Sequence, residues 1–293
     1  MCISVHQLCY VHADKEPLFQ NINLTVNKGQ RLALVGNNGC GKSTLLRILE
    51  GSLKPSSGEV VCTSRPYYVP QHFGQFDHLT VAEALRVDGP IKALHAILAG
   101  DASVENFTRL NDDWSVEERC LSALAFWDLG HLQLSQPMHS LSGGEKTKVF
   151  LSGISVHTPE IILMDEPTNH LDISSRDKLY EMVRTGRSTL LIVSHDRTLL
   201  NLLPGICELE RNGVTLYGGN YDFYREQKEL ALTALQNQLD EKEKELRLAR
   251  KVARETLERK NKANAHSDKT SFKKGISRMA VNTLKDKAEK STV

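Results

Sequence analysis

Three stretches of the 293-residue chain carry short continuous apolar runs bounded by glycine or polar residues: RLALV (31–35), IILM (161–164) and TLLIV (189–193). Runs of this length suit strands buried on both faces of a sheet, although periodicity alone does not separate them from short buried helices. Between about residues 79 and 140 the pattern is helical. Thr80 is placed to cap VAEALR, and Ser115 with Glu118 has capping-box spacing ahead of RCLSALAFWDLG. From Leu232 the apolar positions fall at 3,4 spacing through Leu235, Leu239, Leu246, Ala249 and Ala253, with Lys242 interrupting. So narrow a seam predicts a long helix packed on one partner helix. NANAHSDKTSFKKG (264–275) loses the period and is expected to be a connector. ISRMAVNTLKDKAEKSTV would then begin a second helix, cut short by the chain end.

All nine prolines lie at or before Pro204, and after Gly219 the only glycine is Gly275. Helix breakers are thus concentrated in the first part of the chain, which places a boundary near residue 224. The expected organisation is an α/β body over 1–224, with a helical insertion at about 72–155, and a helical extension over 225–293. A length of 293 residues fits one large domain plus an appendage. Composition, at 40% hydrophobic and 25% charged, is that of a soluble globular protein. No stretch reaches the roughly 18 to 20 apolar residues of a membrane span, and the N-terminus lacks the form of a signal peptide, so a cytoplasmic location is expected. The six cysteines form no C-x-x-C pair and are expected to be reduced thiols. The net charge of +1 hides an asymmetry: residues 225–293 hold 18 Lys and Arg against 11 Asp and Glu, a net of +7, and leave the body at −6. A basic arm gains affinity for RNA phosphates by releasing counterions; the competing reading is the solvated face of a coiled coil.

The chemistry begins at GNNGCGKS, Gly36 to Ser43, which fits G-x-x-x-x-G-K-[ST] between the strand RLALV and a predicted helix, TLLRILEG. Glycines let backbone N–H groups curl around a phosphate at the positive end of a helix. Gly36, Asn37, Asn38, Gly39, Cys40, Gly41, Lys42, Ser43 and Thr44 are therefore candidate nucleotide-binding residues, with Lys42 reaching the outer phosphates and the Ser43 hydroxyl ligating Mg²⁺. The run IILM ends in two adjacent acids, Asp165 and Glu166, a costly arrangement beside an apolar interior unless something cationic or phosphorylated sits there. Asp165 would hold Mg²⁺, and Glu166 would polarise the attacking water.

LSGGEKTKV (141–149) is a small-residue turn running into a helix, with Ser142 and the amides of Gly143 and Gly144 forming another anion-binding helix start. With these motifs in this order the sequence resembles the ATP-binding cassette (ABC) superfamily over residues 1 to about 224. The resemblance implies a P-loop ATPase fold with a helical subdomain, ATP and Mg²⁺ as ligands, and nucleotide contacts from Ser142, Gly143, Gly144 and Glu145. It implies that Gln71 links nucleotide and metal to the helical insertion, that His195 contacts the γ-phosphate, that Asp172 lies in the loop crossing a dimer interface, and that Tyr10 stacks on adenine. DEPTNHLD, with YGGNYDFYREQKELAL downstream, is similar to the ABC-F branch. That likeness implies a ribosome-acting ATPase contacting rRNA and tRNA, in some members protecting against antibiotics, with two cassettes joined by a helical linker. One P-loop and one signature in the chain imply a second cassette as partner, either another copy or a missing C-terminal half, and an end inside the linker favours truncation. An ATP-binding subunit of a membrane transporter shares the same catalytic residues, but PTNHLD and the helical tail argue against it. A non-catalytic fragment is the third reading.

Overall fold

The computed structural model describes residues 2–12, 16–273 and 283. The strands are β1 (Ile3–Val11), β2 (Pro17–Val26), β3 (Arg31–Val35), β4 (Ser57–Cys62), β5 (Tyr67–Val69), β6 (Ile161–Asp165), β7 (Thr189–Val193), β8 (Gly205–Glu210) and β9 (Gly213–Gly218). The α-helices are α1 (Lys42–Glu50), α2 (Val81–Ala84), α3 (Asp88–Leu98), α4 (Val104–Leu110), α5 (Val116–Phe126), α6 (Gly143–His157), α7 (Ile173–Thr185), α8 (Arg197–Asn201) and α9 (Tyr221–Lys273). The chain divides into two units, Met1–Glu226 and Gln227–Val293.

In the first unit, β2-β1-β4 form an antiparallel sheet, and a six-stranded sheet runs β5-β6-β7-β3-β8-β9, parallel except for its last pair. The three apolar runs are its central strands, and alternate residues enter opposite cores. Ala33, Val35, Ile162, Met164, Leu190 and Ile192 join the cluster formed with α2–α7. Leu32, Leu34, Ile161, Leu163, Leu191 and Val193 join the cluster formed with α1 and the antiparallel sheet. Burial on both faces explains why these strands read as continuous rather than alternating. Their carboxyl ends open on one side, where parallel α/β sheets hold ligands.

Between β5 and β6, where a helical insertion was expected over about 72–155, the chain forms α2 to α6. Thr80 caps as expected: its Oγ1 accepts from Glu83 N at 3.3 Å, and Glu83 accepts the Thr80 amide at 2.8 Å. The capping box expected at Ser115 and Glu118 does not form. Ser115 precedes α5 with ψ 8° rather than extended, so its hydroxyl makes no cap bond.

In the second unit α9 runs on through residues 264–273, where a connector was expected. An apolar period marks a packing face, whereas the helix itself needs only the absence of breakers, and neither Pro nor Gly occurs between Gly219 and Gly275. From Glu229 to Asn264 every residue is exposed, including the seam leucines Leu232, Leu235, Leu239 and Leu246, so no described helix covers them. The second helix expected from ISRMAVNTLKDKAEKSTV lies outside the described residues, apart from Thr283.

Candidate nucleotide-binding site

Strand β3 leaves the sheet at Gly36, and the loop that follows is shaped by three glycines with positive φ: Gly36 (151°), Gly39 (79°) and Gly41 (100°). At two of them a side chain has no room. A Cβ on Gly36 would lie 2.5 Å from the Leu209 carbonyl of β8, and one on Gly41 would lie 2.7 Å from Leu18. Helix α1 then starts with no capping side chain and no acid in its first turn, so its leading amides are left for a ligand. Lys42 curls back over the loop, its Nζ donating to the carbonyls of Gly36 (2.9 Å) and Asn37 (3.1 Å).

Asn38, Gly39, Gly41, Lys42, Ser43 and Thr44 line a hollow of about 490 Å³, which Gln71, Asp165, Glu166 and His195 also line. Asn37 and Cys40 border a neighbouring depression that shares Asn38 and Gly39 with the hollow, and Gly36 borders a smaller cavity of about 200 Å³.

Asp165 closes β6 at 1% exposure. Its Oδ2 accepts from the Tyr68 hydroxyl at 3.3 Å, while Oδ1 is buried without a hydrogen-bond partner. Burial pushes its pKa up, opposed by the Ser43 and Tyr68 hydroxyls and by the charge on Lys42. A buried carboxylate oxygen left unpaired beside a loop serine fits a divalent cation. Mg²⁺ takes one or two protein oxygens and completes its shell with phosphate and water, so Asp165 and Ser43 are the residues that would hold it.

Glu166 follows at φ 50°, an unfavourable backbone conformation for a non-glycine residue, held by its amide donating to the Val193 carbonyl at 2.8 Å. Its carboxylate accepts from the His195 backbone amide at 3.2 Å and lies 3.6 Å from the His195 ring. Burial raises the Glu166 pKa, and contact with His195 opposes the rise. The His195 ring is itself largely exposed, at the mouth of the hollow.

The other predicted contacts lie elsewhere. Ser142 and Glu145 close a capping box at the start of α6: Ser142 Oγ accepts from Glu145 N (3.3 Å), and Glu145 accepts the Ser142 amide (2.8 Å). The Ser142 hydroxyl (2.7 Å) and amide, both donating to the carboxylate, hold the Glu145 pKa low. Gly143 and Gly144 pass close to His170, where a Cβ on Gly144 would meet its carbonyl at 2.7 Å. Asp172 caps α7, accepting from Ser175 N at 2.8 Å, and pairs with Lys148 of α6 at 3.0 Å. None of these residues lines the hollow. Nor does Tyr10, whose ring leans on Phe19 and stands edge-on to His12. His12, two residues on, lines the hollow instead. Sequence reasoning passed over both His12 and Tyr68; the only signal for Tyr68 was its place three residues before Gln71.

A family model described as ABC transporter matches residues 19–169. The chain belongs to the ABC transporter family. In this cassette the matched segment runs from β2, through β3 and the P-loop, to Asn169 just beyond β6 and Glu166. Curated relatives extend the likeness over most of the chain. It is 31% identical to an uncharacterized ABC transporter ATP-binding protein, YkpA, of Bacillus subtilis, covering 97% of the chain and 55% of the relative. It is also 31% identical to the tylosin resistance ATP-binding protein TlrC of Streptomyces fradiae, over 94% of the chain and 55% of that protein. ABC transporter F family member 2 of Arabidopsis thaliana is 31% identical over 76% of the chain and 30% of its own length. The chain therefore spans about half the length, or less, of these relatives. A bacterial ABC transporter cassette solved as a dimer superposes with a TM-score of 0.57 at 23% identity, covering 74% of this chain and 98% of that one, which establishes the cassette fold. No described helix of this cassette is long and apolar enough to cross a membrane.

Proposed function

We propose that this chain is an ATP-binding and ATP-hydrolysing cassette of ABC-F type, cytoplasmic, that acts on the ribosome face to face with a second cassette. The observation that carries the ATPase reading is the unpaired Asp165 Oδ1, buried in the same hollow as Lys42, Ser43 and Glu166. On this reading the amides of Gly39 to Thr44 bind the phosphates, and Lys42 exchanges two loop carbonyls for phosphate oxygens. Glu166 orients and deprotonates the attacking water; its desolvated carboxylate has a raised affinity for a proton, as a base in that position needs. His195 and Gln71 border the space where the outer phosphate lies. Mg²⁺ held by Ser43 and Asp165 would neutralise charge developing on the phosphates.

The position of Ser142, Gly143, Gly144, Glu145 and Asp172 outside the hollow supports their use on the nucleotide of another cassette, a second copy or one in the same longer protein. The ABC-F assignment is supported by the similarity to F family members and by the TNHLD sequence after Pro167. The similarity to a tylosin resistance protein supports antibiotic protection as the biological use. A basic exposed helix supports contact with rRNA or tRNA.

Sedimentation with purified ribosomes, with and without Mg·ATP and at rising salt, tests this reading. The expected result is nucleotide-dependent pelleting that weakens as salt increases. Partition with membranes and none with ribosomes would instead assign the cassette to a transporter.

A further inference from the structure

The first turn of α9 is held at two points, and each lies on an element that also borders the nucleotide site. At the first point the Tyr224 hydroxyl donates to Glu208 Oε1 at 2.9 Å, and the Tyr217 hydroxyl of β9 donates to Oε2 of the same carboxylate at 3.1 Å. The two rings stand edge to face with centroids 5.0 Å apart. Glu208 is buried on β8 and is the register partner of Val35, the last residue before the P-loop. The next residue, Leu209, presents the carbonyl against which Gly36 is seated.

At the second point Asp222 and Asn201 exchange a pair of bonds: Asn201 Nδ2 donates to the Asp222 carboxylate at 3.0 Å, and the Asp222 amide donates to Asn201 Oδ1 at 3.1 Å. Asn201 ends α8, a helix capped by Asp196 immediately after His195. Between the two points lies a cavity of about 200 Å³ whose walls include Gly36, Asn37, Lys42, His195, Glu208 and Tyr224. The carbonyls that receive the Lys42 ammonium belong to two of those wall residues.

We infer that the first turn of α9 is a positioning element for the nucleotide site, with Tyr224 acting through Glu208 and β8 on the P-loop and Asp222 acting through Asn201 and α8 on His195. A buried carboxylate accepting two hydroxyls loses more on giving one up than an exposed one would, so β8 and the helix root move together. When Lys42 turns to a phosphate it releases two carbonyls on the cavity wall, and the packed groups there rearrange as a unit rather than deforming smoothly. The coupling is reciprocal: whatever restrains the helix root alters nucleotide affinity by the same factor. The inference rests on the ATP-site reading above, and it names the route by which that site reaches the helical extension.

Hydrogen–deuterium exchange of residues 219–226 in the full chain, with and without Mg·AMPPNP, tests it. Calorimetry of Mg·AMPPNP on the same samples measures binding independently. In the wild type, nucleotide should slow exchange there by about fivefold or more, the lower end of a typical allosteric coupling. Tyr224→Phe, and separately Asn201→Ala, which breaks the exposed contact without touching the buried carboxylate, should each shrink that nucleotide response. A merely structural role would raise exchange equally in both states and leave the response intact, which would overturn the inference. Binding without any change in wild-type exchange would overturn it alone. Absence of binding would overturn the ATP-site reading and this inference with it.

Discussion

Two helices of this cassette begin on small-residue turns, and their N-termini are completed in opposite ways. Helix α1 follows Gly41 with no capping side chain, and across the hollow Asp165 keeps one oxygen unpaired. Helix α6 begins with a closed capping box between Ser142 and Glu145, and nearby Asp172 is bound to both Ser175 and Lys148. Open amides beside an unpaired acid form a site that only a ligand completes. A capped turn is stable by itself and, on the function proposed above, would serve as a preformed surface for the nucleotide of another cassette.

The sharpest way to break this contrast is Glu166→Gln, expected to lower kcat by about 10² to 10⁴, the usual contribution of acid–base catalysis. ATP binding should persist, as read by calorimetry beside a phosphate-release assay. Glu145→Gln, the same change on the capped side, keeps a capping-box residue and should leave nucleotide affinity of the isolated chain unaltered. Wild-type turnover by Glu166→Gln would remove the open side's claim to the chemistry.

A smaller effect is expected from Ser142→Ala, which deletes the cap and should lower stability by about 1 kcal/mol in urea unfolding. No loss would mean that the box is not closed in solution.

The smallest effect is a pH dependence. Bonds from Ser175 and Lys148 hold the Asp172 pKa down to about 2 in the folded protein, below its unfolded value of about 3.9. The folded state therefore binds fewer protons than the unfolded state between these values. The stabilisation is fully present above the unfolded pKa and is lost as pH falls through about 2. Between pH 4 and pH 2 the urea midpoint should fall more steeply for the wild type than for Asp172→Asn, and parallel curves would show that the cap carries no charge-dependent stability.

Much of the candidate site was legible because its chemistry is local. The loop from Gly36 to Ser43 needs glycines at positions the backbone itself dictates, and two adjacent acids after IILM stand out against any apolar core. Elements whose outcome depended on distant partners were less legible. Ser115 and Glu118 have the spacing of a capping box, but the path of the chain into α5 turns the Ser115 backbone out of the required conformation. Tyr10 carried the resemblance to an adenine platform; its ring leans on Phe19, and the hollow is lined by His12, which no local pattern marked. Residues 264–273 lacked a seam but kept their helix, since propensity acts without a partner.

The sequence alone determined which segments could be doubly buried strands, where a phosphate loop could turn, and which end of the chain would be helical and basic, because each depends on neighbours within a few residues. Only the tertiary structure decided that β6 and β7 run parallel beside β3, so that Glu166, His195 and Lys42 meet in one hollow, and that Tyr68 leaves one oxygen of Asp165 free. Those outcomes depend on contacts between residues far apart in the chain, and the energy of such a contact exists only once the core has brought its partners together.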